Sequence, residues 1–162
     1  MTMTIKLMTE QDLPRVAELL QANAASQNGG LLGEFPLEKV REMFTTSLSV
    51  VIAEQNDTIV GVVFSFPWNT NKLPPLVAYI NQTFPDIVKN NWLYGPICID
   101  QAFRGGTTLK SLFNGICAQN NGKAIAFINS DNARSLRAHE KLGMTAVAEC
   151  TFDDTDYIIV SS

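Results

Sequence analysis

The sequence predicts a mixed α/β sheet containing one parallel crossover. Three observations point there. Runs with strand patterning interleave with runs of helical spacing, in the order β-α-α-β-β-(α)-β-α-β-α-β-β. Strands separated by a helix need such a crossover, whereas strands separated by two residues close as a hairpin. The chain has 162 residues, 46% apolar and 17% charged, and shows no repeat, low-complexity tract or linker. That reads as one domain, 1–162, large enough for a real core.

Residues 4–9, "TIKLMT", alternate and read as the first strand. Thr9 or Asp12 can cap a helix running to about Ala25, with Val16, Leu19 and Leu20 on one face. Residues 26–34, "SQNGGLLGE", read as a loop. Residues 36–47 read as a second helix, with Pro36 suited to its first position because proline lacks the N–H that is unpaired there anyway. Residues 49–55 and 58–66 read as strands joined by a tight hairpin at Asn56-Asp57. In 67–90, Pro74 and Pro75 can open a short helix and Pro85 would end it. Residues 92–100, "WLYGPICID", read as a strand. After Thr107, Leu109, Leu112, Phe113 and Ile116 fall on one helical stripe. Residues 123–130 read as a strand. Residues 131–143 read as a helix, with Ser130 or Asp131 as cap and Gly143 as stop. "MTAVAECTF" and "DYIIVSS" close as two strands, a hairpin.

Composition excludes several classes. The net charge is −4, against a general nucleic-acid binder, which needs a basic face. It suits cationic small molecules such as amines. No apolar run approaches the roughly 18 residues of a membrane span, and the start lacks the layout of a secretory signal. Cys98, Cys117 and Cys150 are widely spaced and odd in number, which reads as reduced, buried thiols in a cytoplasmic protein. His139 is the one histidine, and no metal-ligand spacing surrounds it, so no metal is expected.

Two stretches carry chemistry. "FRGGTTLKSLF", 103–113, sets Arg-Gly-Gly directly before a helix. A helix start leaves about four N–H groups unpaired and carries roughly half a positive charge. Glycines there let backbone amides approach a phosphate, and Arg104 adds a cation. A plain turn is the alternative. In the second, "INSDNARSLRAHEKLGM", 128–144, Asn132, Ser135 and His139 lie within roughly 60° of one another at about 100° per residue. Ala138 and Leu142 share that face, while Arg137, Glu140 and Lys141 point away. The alternative is a core histidine bonded to a carbonyl.

These stretches resemble the GNAT superfamily of acyl-CoA-dependent N-acetyltransferases. That family writes its pyrophosphate loop Arg/Gln-x-x-Gly-x-Gly/Ala after an apolar strand, and "ICIDQAFRGGTTLKSLF" aligns with it without a gap. Thr107 and Leu109 occupy the two glycine positions, with Gly105 and Gly106 standing earlier. The family's later helix reads Asn-x-x-Ser/Ala-x-x-x-Tyr/His, then Glu-Lys-x-Gly-Phe. "NARSLRAHEKLGM" fits it, with Met144 for the phenylalanine. The element order over the whole chain agrees.

The resemblance implies an α/β (α+β) GNAT fold: a central, mostly antiparallel sheet of about seven strands flanked by helices. It implies direct attack of a primary amine, on a small molecule or amino-acid-like acceptor, on the thioester of acetyl-CoA. Backbone N–H groups at Cys98, Ile99 and Asp100 would bind the pantetheine arm and polarise the carbonyl. Amides of Arg104, Gly105, Gly106, Thr107, Thr108 and Leu109 would bind the pyrophosphate, with Thr107 able to donate through its hydroxyl and Leu109 packing under the loop. Asn132 and Ser135 would face the ligand. His139 stands where tyrosine is frequent and would donate a proton to the leaving thiolate. Glu34, Glu54, Asp86, Tyr94 and Asp100 are candidates for the base. Glu34 and Tyr94 are also candidates for substrate contact. The alternative is a non-catalytic acyl-CoA-binding or regulatory module of the same fold with a degenerate pyrophosphate loop. Segment 67–90 would be a lid, an oligomer contact supporting a homodimer, or a packed excursion. No nucleic acid or membrane partner is expected.

Overall fold

The computed structural model describes residues 3–24, 27, 31 and 33–162. Its elements, in chain order, are β1 (Met3–Leu7), a 3-10 turn (Glu10–Asp12), α1 (Leu13–Ala22), α2 (Leu37–Thr46), β2 (Ser49–Gln55), β3 (Thr58–Phe66), α3 (Pro75–Thr83), α4 (Pro85–Val88), β4 (Trp92–Ile99), a 3-10 turn (Gln101–Phe103), α5 (Thr108–Ala118), β5 (Ala124–Asn129), α6 (Ala133–Lys141), β6 (Thr145–Phe152) and β7 (Thr155–Ser161). The seven strands are hydrogen-bonded in the order β1-β2-β3-β4-β5-β7-β6. The single parallel pair given by the ladder registers is β4 with β5, at Trp92↔Ala124 and Leu93↔Ile125. The chain groups into two compact units, residues 1–65 with 95–120 and residues 66–94 with 121–162.

In the first unit, β1 and β3 flank β2 in antiparallel register, and Asn56 and Asp57 both take the left-handed conformation at the hairpin tip. Two adjacent positive φ values are what a tight hairpin turn of this twist requires. α5 lies against these strands, burying Leu112, Phe113 and Ile116. Each such side chain contributes about 1.5–3 kcal/mol. Two glycines permit the close approach. A Cβ on Gly61 would stand 2.9 Å from Leu112 Cδ1. One on Gly115 would stand 2.9 Å from Ile5 Cγ2 and 3.1 Å from Val51 Cγ1. At the far end of α5 the Asn120 amide donates to Ser49 Oγ (3.1 Å), Ser65 Oγ (3.2 Å) and the Ile116 carbonyl (3.0 Å). The buried Ser65 hydroxyl also bonds to Ser49, so it has partners in both side chains.

In the second unit, β7 pairs antiparallel with both β5 and β6. α3 buries Leu76, Val77 and Ile80, and Tyr79 packs on Phe152 with ring centroids 5.1 Å apart. Segment 67–90 is thus, within its own unit, a packed excursion.

Several boundaries differ from the sequence reading. The first strand ends at Leu7, because Thr9 and Asp12 turn the chain: the Asp12 carboxylate accepts from the Thr9 N–H (2.8 Å) and hydroxyl (3.1 Å). α1 stops at Ala22, and the expected end at Ala25 lies outside the described residues, as does most of the 26–34 loop. Pro36 is the N-cap of α2 rather than its first residue. Pro85 starts α4 instead of only ending α3, since proline suits a first turn.

We expect Gly115→Val to destabilise the protein by about 1–3 kcal/mol through overpacking against β1 and β2. At about 2–4 °C per kcal/mol for a chain of this size, a thermal melt should show the loss directly.

Candidate functional site

In the first unit the site is the entry to α5. Asp100 accepts from the Ala102 N–H (3.0 Å), and the Phe103 N–H returns to the Asp100 carbonyl (2.8 Å), so the chain folds back after β4. Gly105 then takes φ +84°, a left-handed turn that glycine adopts without strain. Thr107 occupies the N-cap of α5 without a side-chain cap bond, and the Ser111 N–H makes the first return bond, to the Thr107 carbonyl (3.0 Å). The backbone N–H groups from Gly105 to Lys110 therefore have no acceptor among the described residues. Nothing lies within 4 Å of where a Cβ would stand on Gly105 or Gly106. Free donors, a helix N-terminus and open glycines have the chemistry to take an anion.

The flanking residues are placed differently from expectation. The Arg104 N–H donates to the Gln101 carbonyl (3.4 Å) and so is not a free donor. Its guanidinium donates to the Ile99 carbonyl through Nε (3.0 Å) and to the Asn23 side chain. Arg104 is thereby a fixed cation at the end of β4. The Asp100 N–H is taken by the Val60 carbonyl (2.8 Å) and so is not offered to a pantetheine arm, and its carboxylate faces Arg15 at 3.5 Å. The Cys98 side chain is buried and donates to the Leu19 carbonyl at 3.5 Å. Burial pushes its thiol up to about 12, so it stays protonated. The Thr108 hydroxyl is turned inward to Met3 Sδ (3.5 Å), leaving its N–H as the group it offers, and Leu109 is half-buried.

Other candidate bases are engaged or exposed. Glu54 pairs with Lys6 at 3.1 Å. Asp86 is exposed in the first turn of α4. Glu34 accepts from the Gln21 amide, whose oxygen takes the Phe35 N–H (2.7 Å), while Lys39 Nζ donates to the Glu34 carbonyl (2.7 Å). Sequence reasoning missed this role of α1: Arg15, Gln21 and Asn23 hold Asp100, the 34–35 segment and Arg104. Three polar residues on one amphipathic helix were the available signal, and it is a weak one.

In the second unit, Asn132, Ser135 and His139 do come together. Asn132, rather than Ser130 or Asp131, caps α6, accepting from the Ser135 N–H at 3.1 Å. An Asn three residues before Ser is an ordinary N-cap arrangement, so the signal was present. The helix ends in a Schellman motif: the Gly143 N–H donates to Glu140 (2.9 Å) and the Met144 N–H to His139 (3.2 Å), with Gly143 at φ +88°. His139 is 8% exposed, and the Tyr94 ring stands edge-on to it at 5.8 Å. His139 Nδ1 lies 2.7 Å from the Ser135 carbonyl and 3.4 Å from the Ser135 hydroxyl. A carbonyl only accepts, so Nδ1 carries the proton and Nε2 of the neutral ring is an acceptor. Burial lowers the imidazole's pKa, with the Ser135 bond partly opposing it. The ring is thus neutral near pH 7. This depressed group adds stability above its unfolded value of about 6.5 that is lost as pH falls through the lower folded value. In urea unfolding, we expect the stability advantage of wild type over His139→Gln to shrink from pH 7 to pH 5.

Among the described residues no group of His, Cys, Asp and Glu is arranged to hold a metal ion, and no helix is long and apolar enough to cross a membrane. No protein-family model and no curated protein sequence matches the chain. Solved structures do. A ribosomal-protein-alanine N-acetyltransferase from Brucella melitensis matches at 18% identity and TM-score 0.73, covering 98% of each chain. An N-acetyltransferase from Staphylococcus aureus Mu50 matches at 15% identity and TM-score 0.72, over 100% of this chain and 98% of that one. A GNAT superfamily phosphinothricin acetyltransferase from Sinorhizobium meliloti, in complex with AcCoA, matches at 17% identity and TM-score 0.73, over 100% and 88%. The seven-stranded, mostly antiparallel sheet and its helices therefore have the fold of the GNAT acetyltransferases.

Proposed function

We propose that the protein is an N-acetyltransferase that moves an acetyl group from acetyl-CoA to a primary amine of a small molecule or amino-acid-like acceptor. The observation that carries this reading is the row of free N–H groups from Gly105 to Lys110 beside two open glycines. The cradle matches a diphosphate in charge and donor chemistry. The fold supports it, since the Sinorhizobium meliloti structure of the same fold is a complex with AcCoA. An acidic protein of net charge −4 suits a cationic amine. Three free cysteines suit a reducing cytoplasm.

Acetyl-CoA, when bound, supplies a thioester carbonyl. The Gly105–Lys110 amides hold its pyrophosphate, and Arg104, held by Ile99 and Asn23, adds a positive charge nearby. Asn132 and Ser135 hold the first turn of α6 in place and with it His139. As the N–C bond forms and the C–S bond breaks, one proton leaves the amine and one reaches the thiolate. His139 is our candidate for that proton. Because the neutral ring presents Nε2 as an acceptor, it takes a proton before it gives one. Glu34 and Tyr94 remain candidates for substrate contact, and Glu34 does so while bonded to Gln21.

Calorimetry with acetyl-CoA tests the cradle. Wild type should bind, and Gly106→Ala should weaken binding at least tenfold, about 1.4 kcal/mol. Its melting temperature should hardly change, since the new Cβ meets nothing. No binding to wild type up to millimolar acetyl-CoA would sink the reading. Binding without turnover on any amine would leave an acyl-CoA-binding module. With a turned-over amine, His139→Gln should lower kcat by no more than the roughly 10²–10⁴ of general acid–base catalysis. It should also remove an acid limb of the wild-type profile, one lying below the ordinary imidazole value because burial lowers the His139 pKa. An unchanged limb in the variant would remove His139 from the proton path.

A further inference from the structure

His139 is held by two contacts of different kinds. One comes from its own helix: Nδ1 lies 2.7 Å from the Ser135 carbonyl and 3.4 Å from the Ser135 hydroxyl. The other comes from β4, where the Tyr94 ring stands at 90° to the imidazole with centroids 5.8 Å apart. The first contact alone does not fix a ring. A hydrogen bond holds one nitrogen, and the imidazole can still tilt about the line of that bond. Fixing its plane takes a second contact, and the Tyr94 ring is placed to supply it. Perpendicular packing is a preferred arrangement of two rings, because the positive edge of one meets the negative face of the other.

Tyr94 is itself braced. It follows Trp92 by two positions on β4, so both side chains are on one face, and their rings meet edge-on at 6.2 Å. Trp92 Nε1 donates to the Gly122 carbonyl (3.4 Å) and the Trp92 N–H to the Lys123 carbonyl (3.1 Å). The Lys123 N–H donates to Asn91 Oδ1 (2.8 Å). The parallel ladder of β4 and β5 begins beside these bonds, at Trp92↔Ala124. A Cβ on Gly122 would stand 2.1 Å from the Asn90 carbonyl oxygen, so only glycine lets the two segments meet this closely. Trp92 and Tyr94 are 2% and 3% exposed, so nearly all of both side chains faces protein. The position of Tyr94 is therefore set by β4 and β5 and not by α6. That makes its ring an independent reference for a side chain carried on α6.

We propose that Tyr94 is a positioning residue whose ring fixes the plane of the His139 imidazole, keeping Nδ1 on the Ser135 carbonyl and Nε2 as the acceptor. The catalytic consequence rests on the proposed acetyl transfer, in which His139 carries the proton. The effect on the ring itself does not rest on it. The role belongs to the aromatic ring and not to the hydroxyl, so phenylalanine can replace tyrosine here and an aliphatic side chain cannot. Without the ring, the imidazole tilts off the carbonyl. The Nδ1 proton then loses its acceptor, and the tautomer protonated on Nε2 gains population.

Nitrogen NMR reads this directly, because the chain has one histidine. With the ring neutral, long-range proton–nitrogen spectra should show Nδ1 protonated in wild type and in Tyr94→Phe. Tyr94→Leu should add the form protonated on Nε2, with unchanged circular dichroism. With a turned-over amine, Tyr94→Leu should lower kcat by about tenfold, less than loss of the imidazole itself, and Tyr94→Phe should restore most of that loss. In a His139→Gln background, Tyr94→Leu should cost almost nothing more, since both changes act through one ring. A wild-type tautomer in folded Tyr94→Leu would overturn the proposal. So would an equal loss of kcat with and without His139. A raised KM for the amine with unchanged kcat in Tyr94→Phe would overturn it too, as the mark of a hydroxyl that binds substrate. A protein that turns over no amine sinks the acetyl transfer and leaves the NMR comparison to decide the role of Tyr94. If Tyr94→Leu does not fold, Tyr94→Met, flexible and also without an aromatic ring, gives the same comparison.

Discussion

The closeness of α5 to β1, β2 and β3 governs the first unit. Gly61 and Gly115 remove the two side chains that would hold the helix off the strands. The Asn120 knot with Ser49 and Ser65 pins its far end. A helix held at both ends aims its first turn in one direction. The free N–H groups from Gly105 to Lys110 lie at the start of that packed helix. In the proposed reading, a cradle made of backbone depends on the helix carrying it rather than on any one side chain, so packing far from it matters to binding.

α1 contributes in a different way. Its inner face is ordinary core, with Leu13, Val16, Leu19 and Leu20 buried. Its polar positions act as ties. Arg15 reaches the Ile59 carbonyl at 3.1 Å and the Asp100 carboxylate, Asn23 takes the Arg104 guanidinium, and Gln21 grips Glu34 and Phe35. The loop after β4 is therefore held from the side as well as from its own backbone. Gly105 and Gly106, with nothing near them, are the two positions of that loop left open for a ligand to approach.

The second unit solves a smaller problem, which is how to hold one imidazole. Asn132 caps the helix, an interaction of about 0.5–2 kcal/mol. The capped turn places the Ser135 carbonyl against His139 Nδ1. Burial then keeps the ring neutral. Cap, carbonyl and burial together fix which nitrogen is protonated and leave Nε2 as the acceptor. Arg134 and Arg137 of the same helix are exposed.

The sequence by itself determined the element order apart from α4, both helix stripes and the glycine stop after α6, because each follows from local periodicity and local backbone preference. The strands at 49–55 and 58–66 agree to the residue. It also marked Gly105 and Gly106 and the Asn132–Ser135–His139 face, since residues three to four apart on a helix must be neighbours. The tertiary structure decided everything that needed distant partners. It made Asp100 a cap and the partner of Arg15, and fixed Arg104 against Ile99 and Asn23. It buried the Thr108 hydroxyl and the Cys98 thiol, and gave His139 its tautomer. Hydrogen-bond partners 80 residues apart leave no local trace in a sequence, because either end alone is an ordinary polar side chain whose acceptor is chosen by packing.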